Sequence, residues 1–112
     1  MKKFLMAIMA VLVLASCAGN VFEQKTKVYT DAMEKLAVAK SAADVDAIEA
    51  TVDDAIKAIE TGEAWSAYLA LIENNDTAAL KEYAAARSAC YEARGEYALA
   101  LVAAAISVES AE

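Results

Sequence analysis

The chain is 112 residues long, carries a formal net charge of −7, and contains neither histidine nor proline. A length of one small domain, no imidazole and only two cysteines exclude a multidomain enzyme, imidazole base catalysis and metal sites built from several His or Cys ligands. With 29 alanines and three glycines, helix formers dominate and breakers are scarce, so the expected class is all-α.

In chain order, Met1 to Cys17 reads as two lysines, an apolar run from Phe4 to Ala15, and small residues ending in cysteine. That is the order of an export signal, and the run is too short to span a bilayer permanently. Leu14, Ala15, Ser16 and Cys17 give L-A-S-C, which resembles the lipobox of bacterial lipoproteins. The resemblance implies that residues 1–16 are a signal peptide, that the Cys17 sulfur receives diacylglycerol, and that Cys17 becomes the mature amino terminus, open to further acylation such as palmitate. Two or three acyl chains anchor a protein to a membrane almost permanently, since each buried methylene contributes roughly 0.8 kcal/mol. Ala18 and Gly19 follow in place of the aspartate that resembles an inner-membrane retention signal, which favours the outer membrane. The acidic run that resembles a surface-export signal in Bacteroidota lipoproteins is missing as well, with Glu23 alone between Cys17 and Lys27, so a periplasm-facing location is expected.

Residues 17–20 form a short tether, and 21–112 are expected to make one bundle domain. Phe22, Thr26, Tyr29, Met33 and Leu36 fall on one stripe, predicting a first helix from about Asn20 to Lys40. Ser41 and Asp44 resemble a capping box that starts a second helix near Ala42, with the stripe Val45, Ile48, Val52, Ile56 and Ile59. Beyond Gly62, the residues Trp65, Leu69 and Ile72 lie roughly 130° round from that stripe at ~100° per residue, which predicts a break at Thr61 and Gly62. Asn74 to Thr77 read as a polar turn whose last members cap the next helix. A long final helix, about Ala78 to Glu109, has Tyr83, Cys90 and Tyr97 at heptad spacing, flanked by Leu80, Leu101, Ala104 and Val108, with Gly95 as a candidate bend. The architecture predicted is a small antiparallel bundle of three long helices with a short fourth element over 63–73, held by a thin, alanine-rich core.

After removal of residues 1–16 the chain has 8 basic and 17 acidic side chains, a net charge of −9. Nucleic acid is a poor partner for such a surface. Asp46, Glu49 and Asp53 share a helical face, whose plain reading is a solvated acidic surface; Glu73 to Asp76 lack the alternation of a calcium loop. Tyr83, Arg87, Cys90, Tyr91, Arg94 and Tyr97 place two guanidinium groups beside phenols on one side of the last helix. Arginine forks suit carboxylates or phosphates, so Arg87, Arg94, Tyr83 and Tyr97 are the candidate ligand-binding residues. The competing and favoured expectation is structural: both arginines pair with the second helix, where Ser41 to Asp76 holds nine acids against Lys57 alone. Cys90 has no His to activate it and reads as a buried, inert thiol. Asp76, Thr77 and Ala78 resemble the short O-glycosylation acceptor of exported Bacteroidota proteins, which would make Thr77 a modification site; helix capping explains the same residues.

The expected function is therefore a lipid-anchored, non-enzymatic envelope protein without cofactor or metal, working by contact with another protein or with itself. The alternative is a periplasmic lipoprotein that binds a small molecule or ion on the Arg/Tyr side of the last helix.

Overall fold

The computed structural model describes residues 20–111; the expected signal segment, Cys17 and most of the expected tether lie outside the described residues. Five helices follow one another: α1 (Val21–Leu36), α2 (Ala42–Glu60), α3 (Glu63–Glu73), α4 (Thr77–Lys81) and α5 (Ala84–Ala111). Among the described residues there is no strand, and no helix is long and apolar enough to cross a membrane.

Local chemistry sets most boundaries. Asn20 caps α1 by accepting from the amides of Phe22 (3.0 Å) and Glu23 (3.1 Å), while the Glu23 carboxylate accepts from the Asn20 amide at 3.1 Å. Two orphan donors and the N-cap amide are thereby satisfied reciprocally. α1 stops at Leu36, four residues short of the predicted end, in a turn closed by the Val38 amide on Lys35 O (3.2 Å) and the Ala39 amide on Leu36 O (3.2 Å); Asp44 then accepts from the Lys40 amide (3.0 Å) and Ser41 from the Asp44 amide (3.2 Å), which starts α2. The expected break between α2 and α3 lies at Thr61 and Gly62. α3 ends with Asn75 at φ 53°, its amide bonded to Ile72 O at 3.1 Å and the Asp76 amide to Leu71 O at 3.0 Å. Those two bonds make a Schellman ending, for which asparagine is among the few tolerated residues. Asp76 then caps α4 by accepting from the Ala79 amide at 3.2 Å.

The predicted final helix is interrupted once, at Glu82 and Tyr83, between α4 and α5. No glycine or proline marks that break; Gly95, the candidate bend, sits inside an uninterrupted α5. The interruption coincides with packing of the Tyr83 ring on Phe22 (centroids 6.3 Å apart) and on Tyr68 (5.0 Å).

The long helices form an up-down-up bundle. Phe22 meets Tyr83 and Tyr29 meets Tyr97 at 5.5 Å, so α1 and α5 run parallel. Lys25 near the start of α1 meets Glu60 at the end of α2, so these two run antiparallel. α1 is the central element, in long contact with both α5 and α2, whereas α2 and α5 touch each other much less. A helix covered from two sides buries a wide face, and that corrects the stripe read from the sequence. Phe22, Tyr29 and Leu36 are buried as expected, but Val28, Ala32 and even Lys25 are buried with them, while Thr26 and Met33 sit at the margin. On α5 the heptad seam is present: Cys90, Ala93, Tyr97, Ala104 and Val108 are all buried. α3 departs from expectation. Its buried residue is Tyr68, whose ring fits between Phe22 (4.9 Å) and Tyr83, and the predicted Leu69 and Ile72 remain 46% exposed.

Candidate functional site

Because α2 and α5 flank α1 without closing on each other, a cleft of about 600 Å³ runs between the three long helices, with Trp65 of α3 among its walls. Apolar surface comes from Phe22, Val52, Ile56 and Trp65. Three cations, Lys25, Lys57 and Arg94, and two carboxylates, Asp53 and Glu60, share the lining.

These charges are unequally committed. Lys25 bonds Glu60 at 2.6 Å and lies over the Trp65 ring, 4.0 Å from its centroid. Its side chain is 10% exposed while that of Glu60 is 44% exposed. The aliphatic stem therefore covers core surface while the ammonium is satisfied by a carboxylate and a ring face. Among the described residues, neither Lys57 nor Arg94 has a carboxylate oxygen within 4.0 Å.

The same holds for Arg87, which overturns the expected ionic bridging of α2 by both arginines. Arg87 instead lies over the Tyr91 ring, its guanidinium carbon 4.9 Å from the centroid, on the exposed flank of its own helix. Cation–π stacking of that kind needs no acid. Of the four candidate ligand residues, the fold brings Arg94 and Tyr97 to the cleft, sends Arg87 outside its lining, and places Tyr83 in the aromatic cluster with Phe22 and Tyr68. Asp46, Glu49 and Asp53 are all exposed. Thr77 is exposed as the first residue of α4, with the Asp76 carboxylate occupied in capping.

Two further lining groups are buried and protonated. Cys90 is 3% exposed, and burial pushes its thiol above the ordinary value despite the opposing pull of Thr26, Lys25 and Arg94. A thiol held in that form is a poor nucleophile. Tyr97 is 8% exposed, and its hydroxyl is the buried polar atom without a hydrogen-bond partner among the described residues. Burial, reinforced by the negative charges of Glu49 and Asp53, pushes its pKa up to about 12.

An acid whose folded pKa lies above its unfolded value of ~10 contributes stability that is complete below pH 10 and is lost as pH rises toward 12. Urea unfolding midpoints are expected to fall between pH 10 and 12 in the native protein and to fall less steeply in Tyr97→Phe. At pH 7 the same substitution is expected to raise stability by roughly 1 kcal/mol, because it removes a buried hydroxyl that is paired with nothing. A loss of similar size at pH 7 would mean the hydroxyl is bonded after all.

No family model, curated protein or solved structure matches this chain.

Proposed function

We propose that the chain is a lipid-anchored, non-enzymatic scaffold module of the bacterial envelope that self-associates through the outer face of α5. The observation that carries this reading is the apolar stripe Leu99, Val102 and Ile106, which are 73%, 58% and 59% exposed. At ~100° per residue they lie opposite the buried seam of Cys90, Ala93, Tyr97 and Ala104, so α5 presents one 3–4 spaced apolar stripe inward and another outward. A helix that is apolar on both sides is normally covered on both.

A second copy is the occupant that fits. From Tyr97 to Val108 the helix carries no charged side chain, and elsewhere the chain is strongly acidic, so this stretch is where two like-charged copies meet without opposing carboxylates. Alanines at 98, 103 and 105 permit close approach of the helices. The stripe also lies about 24–35 Å along α5 from the level of Tyr83, where α1 begins, by a rise of ~1.5 Å per residue. With an anchor at Cys17, as L-A-S-C implies, a stripe this far along α5 is consistent with a protein contact clear of the lipid surface.

One preparation of the full chain, extracted from native membranes, tests both parts. Mass spectrometry is expected to find an acylated Cys17 as the amino terminus, and sedimentation a dimer that Val102→Glu with Ile106→Glu converts to monomer without loss of helix. An intact Met1 would sink the anchor. A wild type that stays monomeric, an acidic variant that still dimerises, or crosslinking only to a different protein would sink self-association.

A further inference from the structure

Beyond that reading, and independent of it, we infer that the cleft between α1, α2 and α5 binds a small organic monoanion, a carboxylate on an aromatic or otherwise apolar body. A volume of about 600 Å³ falls within the range of ~300–1,000 Å³ that ligand sites occupy. The balance of charge in the lining selects the ligand's sign. Lys25 and Glu60 neutralise each other at 2.6 Å. Asp53 stands one helical turn before Lys57 on α2, with no bond between them among the described residues. Three cations against two carboxylates leave the lining with a net charge of +1, so one negative group balances it, and Arg94 has no carboxylate oxygen within 4.0 Å among the described residues.

Chemistry beside Arg94 favours a carboxylate. A guanidinium offers a planar pair of donors matched to a carboxylate's two oxygens. Three residues further along the same helix, Tyr97 also lines the cleft, and its buried hydroxyl has no hydrogen-bond partner among the described residues. An anion seated against Arg94 is an acceptor of the kind that hydroxyl lacks. The walls bear on the rest of the ligand: Trp65, Phe22 and Ile56 offer ring and aliphatic surface, which suits an apolar body better than a bare inorganic ion.

Trp65 is the sole tryptophan of the chain and stands in the lining, so its emission reports occupancy directly. The probes are 3-phenylpropionate and its neutral counterpart 3-phenylpropanol, titrated into the full chain in detergent. A saturable change in Trp65 emission is expected with phenylpropionate, half-complete at roughly 1 mM or below, and at least about tenfold weaker with phenylpropanol. Arg94→Gln is expected to weaken phenylpropionate binding about tenfold or more, and Tyr97→Phe several-fold, while Arg87→Gln, outside the lining, binds as the wild type does. Circular dichroism of each variant checks that it folds. Equal response to acid and alcohol, an Arg94→Gln variant that binds unimpaired, or no saturable change with phenylpropionate up to ~10 mM would each overturn the inference. A response to sodium phosphate equal to that of phenylpropionate would overturn the apolar body and leave only a bare anion site.

Discussion

Phe22→Ala is expected to lower stability by about 3–5 kcal/mol, the usual cost of emptying a buried aromatic site. For a chain of this size that is a large share of a total on the order of 5–15 kcal/mol, and it corresponds to a drop in thermal midpoint of more than about 12 °C. Phe22 is 3% exposed, and its ring meets the rings of Tyr68, Trp65 and Tyr83 edge-on, with centroids 4.9, 5.9 and 6.3 Å away. These contacts join the start of α1 to α3 and to the α4–α5 junction. Without the ring, α3 keeps its contacts with α2 and α4, the Tyr68–Tyr83 ring pair and the Lys25 ammonium over Trp65, but loses the aromatic group that joins them to the start of α1. Hydrogen exchange is therefore expected to accelerate first in α3, then globally. Ile72→Ala, at a residue 46% exposed on the same helix, is the control and is expected to cost under about 1 kcal/mol. Thermal circular dichroism of the three proteins decides the matter; a Phe22→Ala loss no larger than that of Ile72→Ala would mean the aromatic cluster does not hold α3 in solution.

The helices were legible because their signals are local. Ser41 with Asp44, Gly62, and the turn from Asn74 to Asp76 act within four or five residues of themselves, and each boundary falls where those residues stand. Which face each helix buries was only half legible. On α1 the sevenfold spacing of Phe22, Tyr29 and Leu36 is unambiguous, but Thr26 and Val28 compete for the space between, and the choice depends on α1 being flanked by two helices at once. Lys25 reads as solvated from its charge; its burial requires Glu60, 35 residues away, and Trp65 from another helix. The α4–α5 break has no breaker residue and coincides with the packing of the Tyr83 ring, a contact made with other helices. The candidate site divides the same way. The resemblance of L-A-S-C to a lipobox rests on four consecutive residues, whereas the cleft draws on four helices. Arg87 and Arg94 are one heptad apart and look equivalent along α5. Only the level of Lys57 and Asp53 on α2 gives Arg94 a cleft to face and leaves Arg87 stacked on Tyr91.

Reversing the charge of Lys25 is expected to have the other large effect. Lys25→Glu sets a carboxylate where the ammonium stood 2.6 Å from Glu60 and 4.0 Å from the centroid of the Trp65 ring, whose face repels negative charge. The site is 8% exposed, so the new charge has little water to turn to, and an uncompensated charge in such a place costs about 3–5 kcal/mol. Lys25→Met separates the two components of that loss. It keeps a stem of similar length against Trp65 and abandons only the charge, while Glu60, 44% exposed, turns into solvent; the expected cost is about 0–2 kcal/mol. Restoring opposite signs in the order Lys25→Glu with Glu60→Lys should recover part of the loss, a coupling on the order of 1–3 kcal/mol, but not all, because the cation no longer lies on the ring. Urea denaturation of the wild type, the two single variants at position 25, Glu60→Lys and the double variant closes the cycle. If Lys25→Glu is no less stable than Lys25→Met, or if the double variant recovers nothing, Lys25 reaches water in solution and the pair contributes no net stability. If the order of stability is wild type, Met variant, double variant, then Glu variant, a lysine within the core-facing stripe of α1 is a fastening point between the start of α1 and the end of α2, and it fixes the end of the cleft at which Trp65 stands.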